Sequence, residues 1–173
     1  MNDIYIPEFE VPVIKIHFDN WKHIKETILD KVLKSSTNVP DNVVGKPCCT
    51  TSYFSNNDVQ LYSEFIEMVN SNETFEFLNK TFIKGEIRQI WYQKYVKGEY
   101  HPAHNHVGSD WSAVFYANYD HVIHKPTILH IKEPIDYEIV EGDLLIFPGL
   151  LFHEVPECET DVERIVFSFN IKT

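Results

Sequence analysis

The chain reads as an α+β domain, mainly β, in which helices back one side of an antiparallel sandwich or barrel. Three observations lead there. Helical apolar spacing is confined to the first half of the 173 residues. Short alternating segments rich in β-formers fill the second half, and Gly, Pro, Asn and Asp between them supply turns. Helices followed by a run of six or so strands is the order of an α+β fold, not of alternating βα units. The chain, 1–173, is expected to form one domain, with 1–85 giving an early strand and supporting helices and 86–173 the β core.

Within 4–18 the alternation of "VIKIHF" predicts a strand. "DNWKHIKETILDKVLKSS" places Trp21, Ile24, Ile28 and Val32 on one helical face, with Asp19 or Asn20 as a candidate N-cap. "NVPDNVVGKPCCTTSYFSNND" reads as a loop. The segment 59–70, "VQLYSEFIEMVN", predicts a helix with Leu61, Phe65 and Met68 or Val69 on one face. "ETFEFLNKTFIK", 73–84, predicts a third and shorter helix. From 86 onward the strands are "EIRQIWYQKYV", "WSAVFYANY", "PTILHIK", "DYEIVEG", "DLLIFP" and "RIVFSFNIK".

Apolar residues make up 43% of the chain, with 12 Phe and 9 Tyr, a folded and not a disordered composition. Fifteen Lys and Arg against 26 Asp and Glu give a net charge of −11. That argues against a basic face for nucleic acid. No apolar run reaches the roughly 18 residues of a membrane span, and the N-terminus has no signal-peptide pattern. Cys48, Cys49 and Cys158 do not form an even set, so all three are expected to be reduced thiols. A cytoplasmic location follows as an expectation (the host's cytoplasm for a viral protein). No C-x-x-C is present to hold zinc.

The stretch "HPAHNHVGSDWSAVFY", 101–116, holds three histidines within six residues. On a strand, positions i and i+2 share a face, which puts His104 and His106 side by side, about 6–7 Å apart at the backbone. Two imidazoles so placed can converge on one ion, although an H-x-H pair is more often loop than ligand. A third ligand must come from elsewhere, and His153, just after the apolar "DLLIFP", is the best placed. His101 is at i−3 from His104 and does not share its face. The other histidines, 17, 23, 121, 124 and 130, read as surface or packing residues. Arg164 follows His153 by 11 residues, past a turn, and opens the last strand. An antiparallel return carries it back alongside the strand leading to His153. There a guanidinium can clamp a carboxylate; the plainer alternative is a salt bridge to Glu163 or Asp161.

The ordered string of H-x-H, "GSDWSAVFY", "GDLLIFP" with His153, and "ER" with "SFN" resembles a branch of the iron- and 2-oxoglutarate-dependent oxygenases, small proteins of bacteria and phages distantly similar to prolyl hydroxylases. Trp91, Tyr95, Gly98 and His104 fit the same string, and the resemblance covers residues 91–171. It implies a double-stranded β-helix (a jelly-roll, cupin-like barrel) with the N-terminal helices packed outside. It implies Fe(II) at His104, His106 and His153, with open positions for 2-oxoglutarate and O2, and Arg164 on the distal carboxylate of 2-oxoglutarate. The implied activity is a dioxygenase that hydroxylates a C–H bond of a protein, a peptide or a small molecule, releasing succinate and CO2. The cofactor carries the hard step and the protein orients it.

Two positions depart from the family. Most relatives have H-x-Asp where this chain has H-x-His, which leaves the metal with a higher net charge and open to replacement by zinc. Val166 stands where a serine often helps hold the cosubstrate, and Ser168 lies two residues further along the same face. The cupin spacing fits as an alternative, with Asp110 as a fourth ligand and no 2-oxoglutarate; a non-catalytic metal-binding module is a third reading. Tyr92, Tyr95, Trp111 and Tyr116 are candidates for pocket lining or for barrel core and rim.

Overall fold

Two antiparallel sheets carry the fold. In the computed structural model, residues 11–35, 39–43, 46–53, 59–132 and 137–173 are described. In chain order they form β1 (Ile14–His17), α1 (Trp21–Ser35), β2 (Val39–Val43), β3 (Lys46–Thr51), α2 (Ser63–Asn70), α3 (Glu73–Leu78), β4 (Glu86–Tyr95), β5 (His101–His104), β6 (Trp111–Asn118), β7 (Ile128–Leu129), β8 (Asp143–Pro148), β9 (His153–Val155) and β10 (Arg164–Lys172). The larger sheet has the order β1-β8-β6-β10-β4-β3-β2 and the smaller one β5-β9-β7.

The larger sheet is covered on both faces, which is why β6, β8 and β10 are buried at nearly every position. Side chains of a strand alternate between faces. Phe115, Ile146, Phe167 and Phe169 join the helix-side core with Trp21, Ile28, Val32 and Phe65. Val114, Tyr116, Leu145, Phe147 and Val166 join a second core with Leu129 and Val155 of the smaller sheet. Phe65 meets Trp21, Phe115, Phe167 and Phe169 edge-on. The indole of Trp21 donates to the carbonyl of Ala117 at 2.9 Å, which docks α1 on β6 and satisfies the buried N–H.

Antiparallel strands with helices on the outer face match the predicted class, and the differences lie in individual elements. The two sheets wind as a double-stranded β-helix but do not close into a barrel. The N-terminal half gives the larger sheet more than the early strand: β1 pairs with β8 as expected, and β3 also pairs with β4, so both edges of the larger sheet come from it. The hairpin β2–β3 lies in the stretch read as a loop. "DYEIVEG" is no strand over its described residues, and the third helix stops at Leu78, continues as a widened turn over Asn79–Ile83 and ends at Lys84 with φ +54°. The predicted helix over 59–70 is a tight turn, Val59–Tyr62, running into α2. Of the early strand, the portion before residue 11 lies outside the described residues.

Candidate metal and cosubstrate site

His104 ends β5 and pairs directly with His153, the first residue of β9. Strand alternation does not deliver His106, because β5 stops at His104. A laced pair of loops does so instead. The amide of His106 donates to the carbonyl of Gly149 at 2.7 Å, and the amide of Gly149 donates to the carbonyl of Asp110 at 3.0 Å. Gly149 is needed for this approach, since a Cβ there would collide with the carbonyl of Ser109. Ring centroids then lie 5.2 Å apart for His104 and His106, 4.3 Å for His104 and His153, and 5.2 Å for His106 and His153. The ligating atoms of the three fall within 4.8 Å of one another, a spacing suited to one ion.

Each ring has its Nδ1 against an oxygen. His104 Nδ1 meets the Pro102 carbonyl at 2.9 Å, His153 Nδ1 the Leu151 carbonyl at 3.0 Å, and His106 Nδ1 the Asn170 Oδ1 at 2.7 Å. An acceptor at Nδ1 places the proton there and the lone pair on Nε2, the arrangement metal-binding imidazoles use. Burial, followed by the neighbouring rings, pushes the pKa of His153 down from 6.5 to about 3, against the Leu151 carbonyl, which acts the other way. Burial likewise lowers that of His106, offset in part by Asn170. His106 and His153 are therefore suited to staying neutral at pH 7. Trp91 stacks on His106 at 5.6 Å and 22° and fixes that ring's plane.

Arg164 is 2% exposed. Its expected neighbour was the strand leading to His153, but β6 separates β10 from β8, and Arg164 instead pairs with Tyr95 of β4. Jelly-roll winding sends successive strands to different sheets, so sequence proximity misleads here. The guanidinium lies over Tyr95 at 5.1 Å and Tyr116 at 5.6 Å, and Nη2 donates to Thr127 Oγ1 at 3.3 Å. Nε and Nη1 have no hydrogen-bond partner among the described residues. Glu163 does not serve as the counterion; it pairs with Lys94 at 2.9 Å. A buried cation with idle donors is costly unless an anion completes it.

Two cavities meet at the histidines. The outer one, a cleft of ≈ 330 Å³, is walled by Gln89, Trp91, Gln93, His101 and Asn105 among others. The inner one is lined by His153, Thr127, Val166, Ser168 and Ser112. His101 lines the outer cleft with its ring 4.1 Å from that of His104, and it is not in the group of three. Asp110 is not in it either, contrary to the cupin alternative. Its carboxylate accepts from Thr173 N at 2.8 Å and Oγ1 at 3.0 Å, which hold its pKa down. Ser168 donates to Gln93 at 2.8 Å. Of the four candidate aromatics, Tyr95 and Tyr116 underlie Arg164, Tyr92 belongs to the helix-side core and Trp111 meets Phe82. Sequence reasoning missed Asn170, Gln89, Gln93 and Thr127.

Residues 121–170 match the family model described as "Putative 2OG-Fe(II) oxygenase"; the match spans His153 and Arg164 but not His104 and His106. No curated protein matches the chain. Among solved structures, the non-heme alpha ketoglutarate dependent epimerase SnoN from nogalamycin biosynthesis superposes with a TM-score of 0.72 at 10% identity, covering 94% of this chain and 76% of that one. A prolyl-4-hydroxylase of Pseudomonas putida gives 0.66 at 13% identity, covering 94% of both chains. The viral collagen prolyl hydroxylase of Paramecium Bursaria Chlorella virus-1, in its 2OG complex, gives 0.59 at 14% identity, covering 92% and 94%. At such identities the shared property is the fold. Residues 121–170 are thus similar to the putative 2OG-Fe(II) oxygenase family, and the described residues share the fold of these solved structures.

Proposed function

We propose that the chain is an Fe(II)- and 2-oxoglutarate-dependent dioxygenase that hydroxylates a C–H bond of a protein, a peptide or a small molecule. His104, His106 and His153 would hold the metal, and Arg164 the distal carboxylate of the cosubstrate. The observation that carries this reading is the buried guanidinium. Arg164 keeps Nε and Nη1 without acceptors among the described residues, and its partner Thr127 lines the inner cavity together with the three imidazoles. A small dianion that chelates a cation at one end and meets a guanidinium at the other supplies what both groups lack. Bound together, Fe(II) and 2-oxoglutarate supply O2 activation, with loss of CO2 and formation of succinate.

The chain's own part is orientation and exclusion. Oxygen acceptors on the three Nδ1 atoms fix which nitrogen faces the ion. Thr127 and the Tyr95 and Tyr116 rings hold the guanidinium plane. Phe147 packs on His153, with ring centroids at 4.8 Å, and keeps water from that side. The decisive experiment is an anaerobic titration of the Fe(II)-loaded protein with 2-oxoglutarate. A weak visible band from chelation, followed in air by formation of succinate, is expected. No band and unaltered metal affinity would return the site to a cupin-type or non-catalytic metal site.

A further inference from the structure

The outer cleft contains a hydrogen-bond chain whose direction is set at the metal site. His106 Nδ1 donates to Asn170 Oδ1 at 2.7 Å, and Ser112 Oγ donates to the same oxygen at 3.2 Å. Asn170 therefore has only its Nδ2 to offer onward, and it donates to Gln89 Oε1 at 3.0 Å. With its oxygen committed, Gln89 turns its Nε2 donors to the cleft it lines. Reversing Gln89 would set two N–H groups against each other, and reversing Asn170 would do the same at His106. The sense of the whole chain follows from Nε2 of His106 being the lone-pair nitrogen, so the inference rests on the metal reading above.

Among the described residues lining this cleft there is no Asp, Glu, Lys or Arg, although the chain has 15 basic and 26 acidic residues. No carboxylate lines the cleft to pair with a cationic substrate group, and no Lys or Arg side chain lines it to pair with a carboxylate. Trp91 shares the inward face of β4 with Gln89, stacked on His106 and met edge-on by Tyr53 at 5.0 Å. It presents a flat apolar wall beside the donor.

We propose that Gln89 is a specificity-determining residue, whose Nε2 reads an uncharged oxygen acceptor, a carbonyl or a hydroxyl, on the segment of substrate next to the metal, held in that sense by Asn170. The preference is for a neutral substrate segment with an acceptor oxygen beside a flat or apolar portion.

The test uses the full chain loaded with Zn(II) and 2-oxoglutarate, so that no turnover occurs. Its side-chain amide signals are followed by NMR, with those of Gln89 assigned from the spectrum of Gln89→Leu. N-acetylalanine dimethylamide, which has acceptor oxygens, is expected to shift the Gln89 signals saturably, and n-propylammonium and acetate are not. Gln89→Glu keeps the contact to Asn170 but puts a carboxylate oxygen in the cleft. It should weaken the dimethylamide probe by about tenfold and leave Zn(II) and 2-oxoglutarate affinities within about twofold. Asn170→Asp offers Gln89 an acceptor in place of a donor, turns its carboxamide over and should abolish the preference for the dimethylamide. The inference is overturned if Gln89→Glu binds the dimethylamide like the parent chain, if the Gln89 signals do not move, or if neither neutral nor charged probe binds. Failure of the parent chain to bind Zn(II) or 2-oxoglutarate instead removes the metal reading, and this inference with it.

Discussion

His104 and His153 face each other across the β5–β9 pair, directly in register, with ring centroids 4.3 Å apart. Two residues 49 positions apart in sequence are thus fixed by backbone pairing and not by side-chain flexibility. A metal placed between them needs little rearrangement of the chain, which is what a preorganised site requires. His153→Ala should therefore abolish stoichiometric metal binding, read by metal analysis after dialysis against Zn(II) or anaerobic Fe(II). His101→Ala, whose ring touches the same cluster from outside it, should retain the metal. Full retention by His153→Ala would remove it from the ligand set.

Arg164 separates a cosubstrate clamp from an ordinary buried cation. Arg164→Lys keeps the charge but loses the planar fork that engages a carboxylate through two N–H groups. Hydrogen bonds to charged groups contribute about 1.5–3 kcal/mol, so 2-oxoglutarate affinity should fall by roughly tenfold to a hundredfold, measured by calorimetry on Zn(II)-loaded protein. Metal content should be unchanged. The rise in melting temperature that 2-oxoglutarate gives the parent chain should shrink correspondingly. Equal cosubstrate affinity in the variant would show that the guanidinium serves the core alone.

The sequence is informative where local pattern and tertiary environment agree. "DLLIFP" and "RIVFSFNIK" coincide with β8 and β10 at both ends, because burial on both faces makes them apolar throughout and flanking turns delimit them. His153 is legible from its place after such a strand. Strand alternation, from which the sequence pairs His106 with His104, does not apply, because β5 ends at His104. The hydrogen bond to Gly149 that positions His106 joins residues 43 apart. The hairpin β2–β3, with Pro40 and Pro47 in it, has no local strand signal and is held by pairing of β3 with β4. Asn170 is invisible for a different reason. Its role depends on which strand face is turned to His106, and that is set by the register of β10 on β6.

The depressed pKa values of His153 and His106 give the metal-free protein a pH dependence of definite sign. In the unfolded chain an imidazole titrates near its ordinary 6.5, while burial holds His153 at about 3 in the folded one. Between those values the unfolded state binds more protons, so stability rises with pH and is lost as pH falls from about 6.5 toward 3. Each such group contributes at most ~1.4 kcal/mol per pH unit. Urea midpoints of the metal-free protein should fall steadily from pH 7 to pH 5. His153→Gln should flatten part of that slope; an unchanged slope would place the acid sensitivity elsewhere in the chain.

Gly149 tests whether the laced loops, and not the strand, place His106. A methyl group at 149 would meet the carbonyl of Ser109 and approach that of His106 at 3.2 Å. Both are backbone atoms, which cannot swing aside as a side chain would. Gly149→Ala must therefore push the 104–110 segment away from the 148–151 turn and lengthen the bond from His106 N to Gly149 O. Overpacking of this kind costs about 1–3 kcal/mol in stability. Its larger effect falls on the metal, because His106 leaves its place relative to the register-fixed pair His104 and His153. Loss of about 10–100-fold in Zn(II) affinity is expected, comparable to removing a supporting hydrogen bond from a ligand. Leu150→Ala, one residue on and with its side chain 65% exposed, should alter neither stability nor affinity. Parity of the two variants in metal titration would mean that His106 finds the ion from a loop free to adjust, and that the Gly149 contact is incidental to the site.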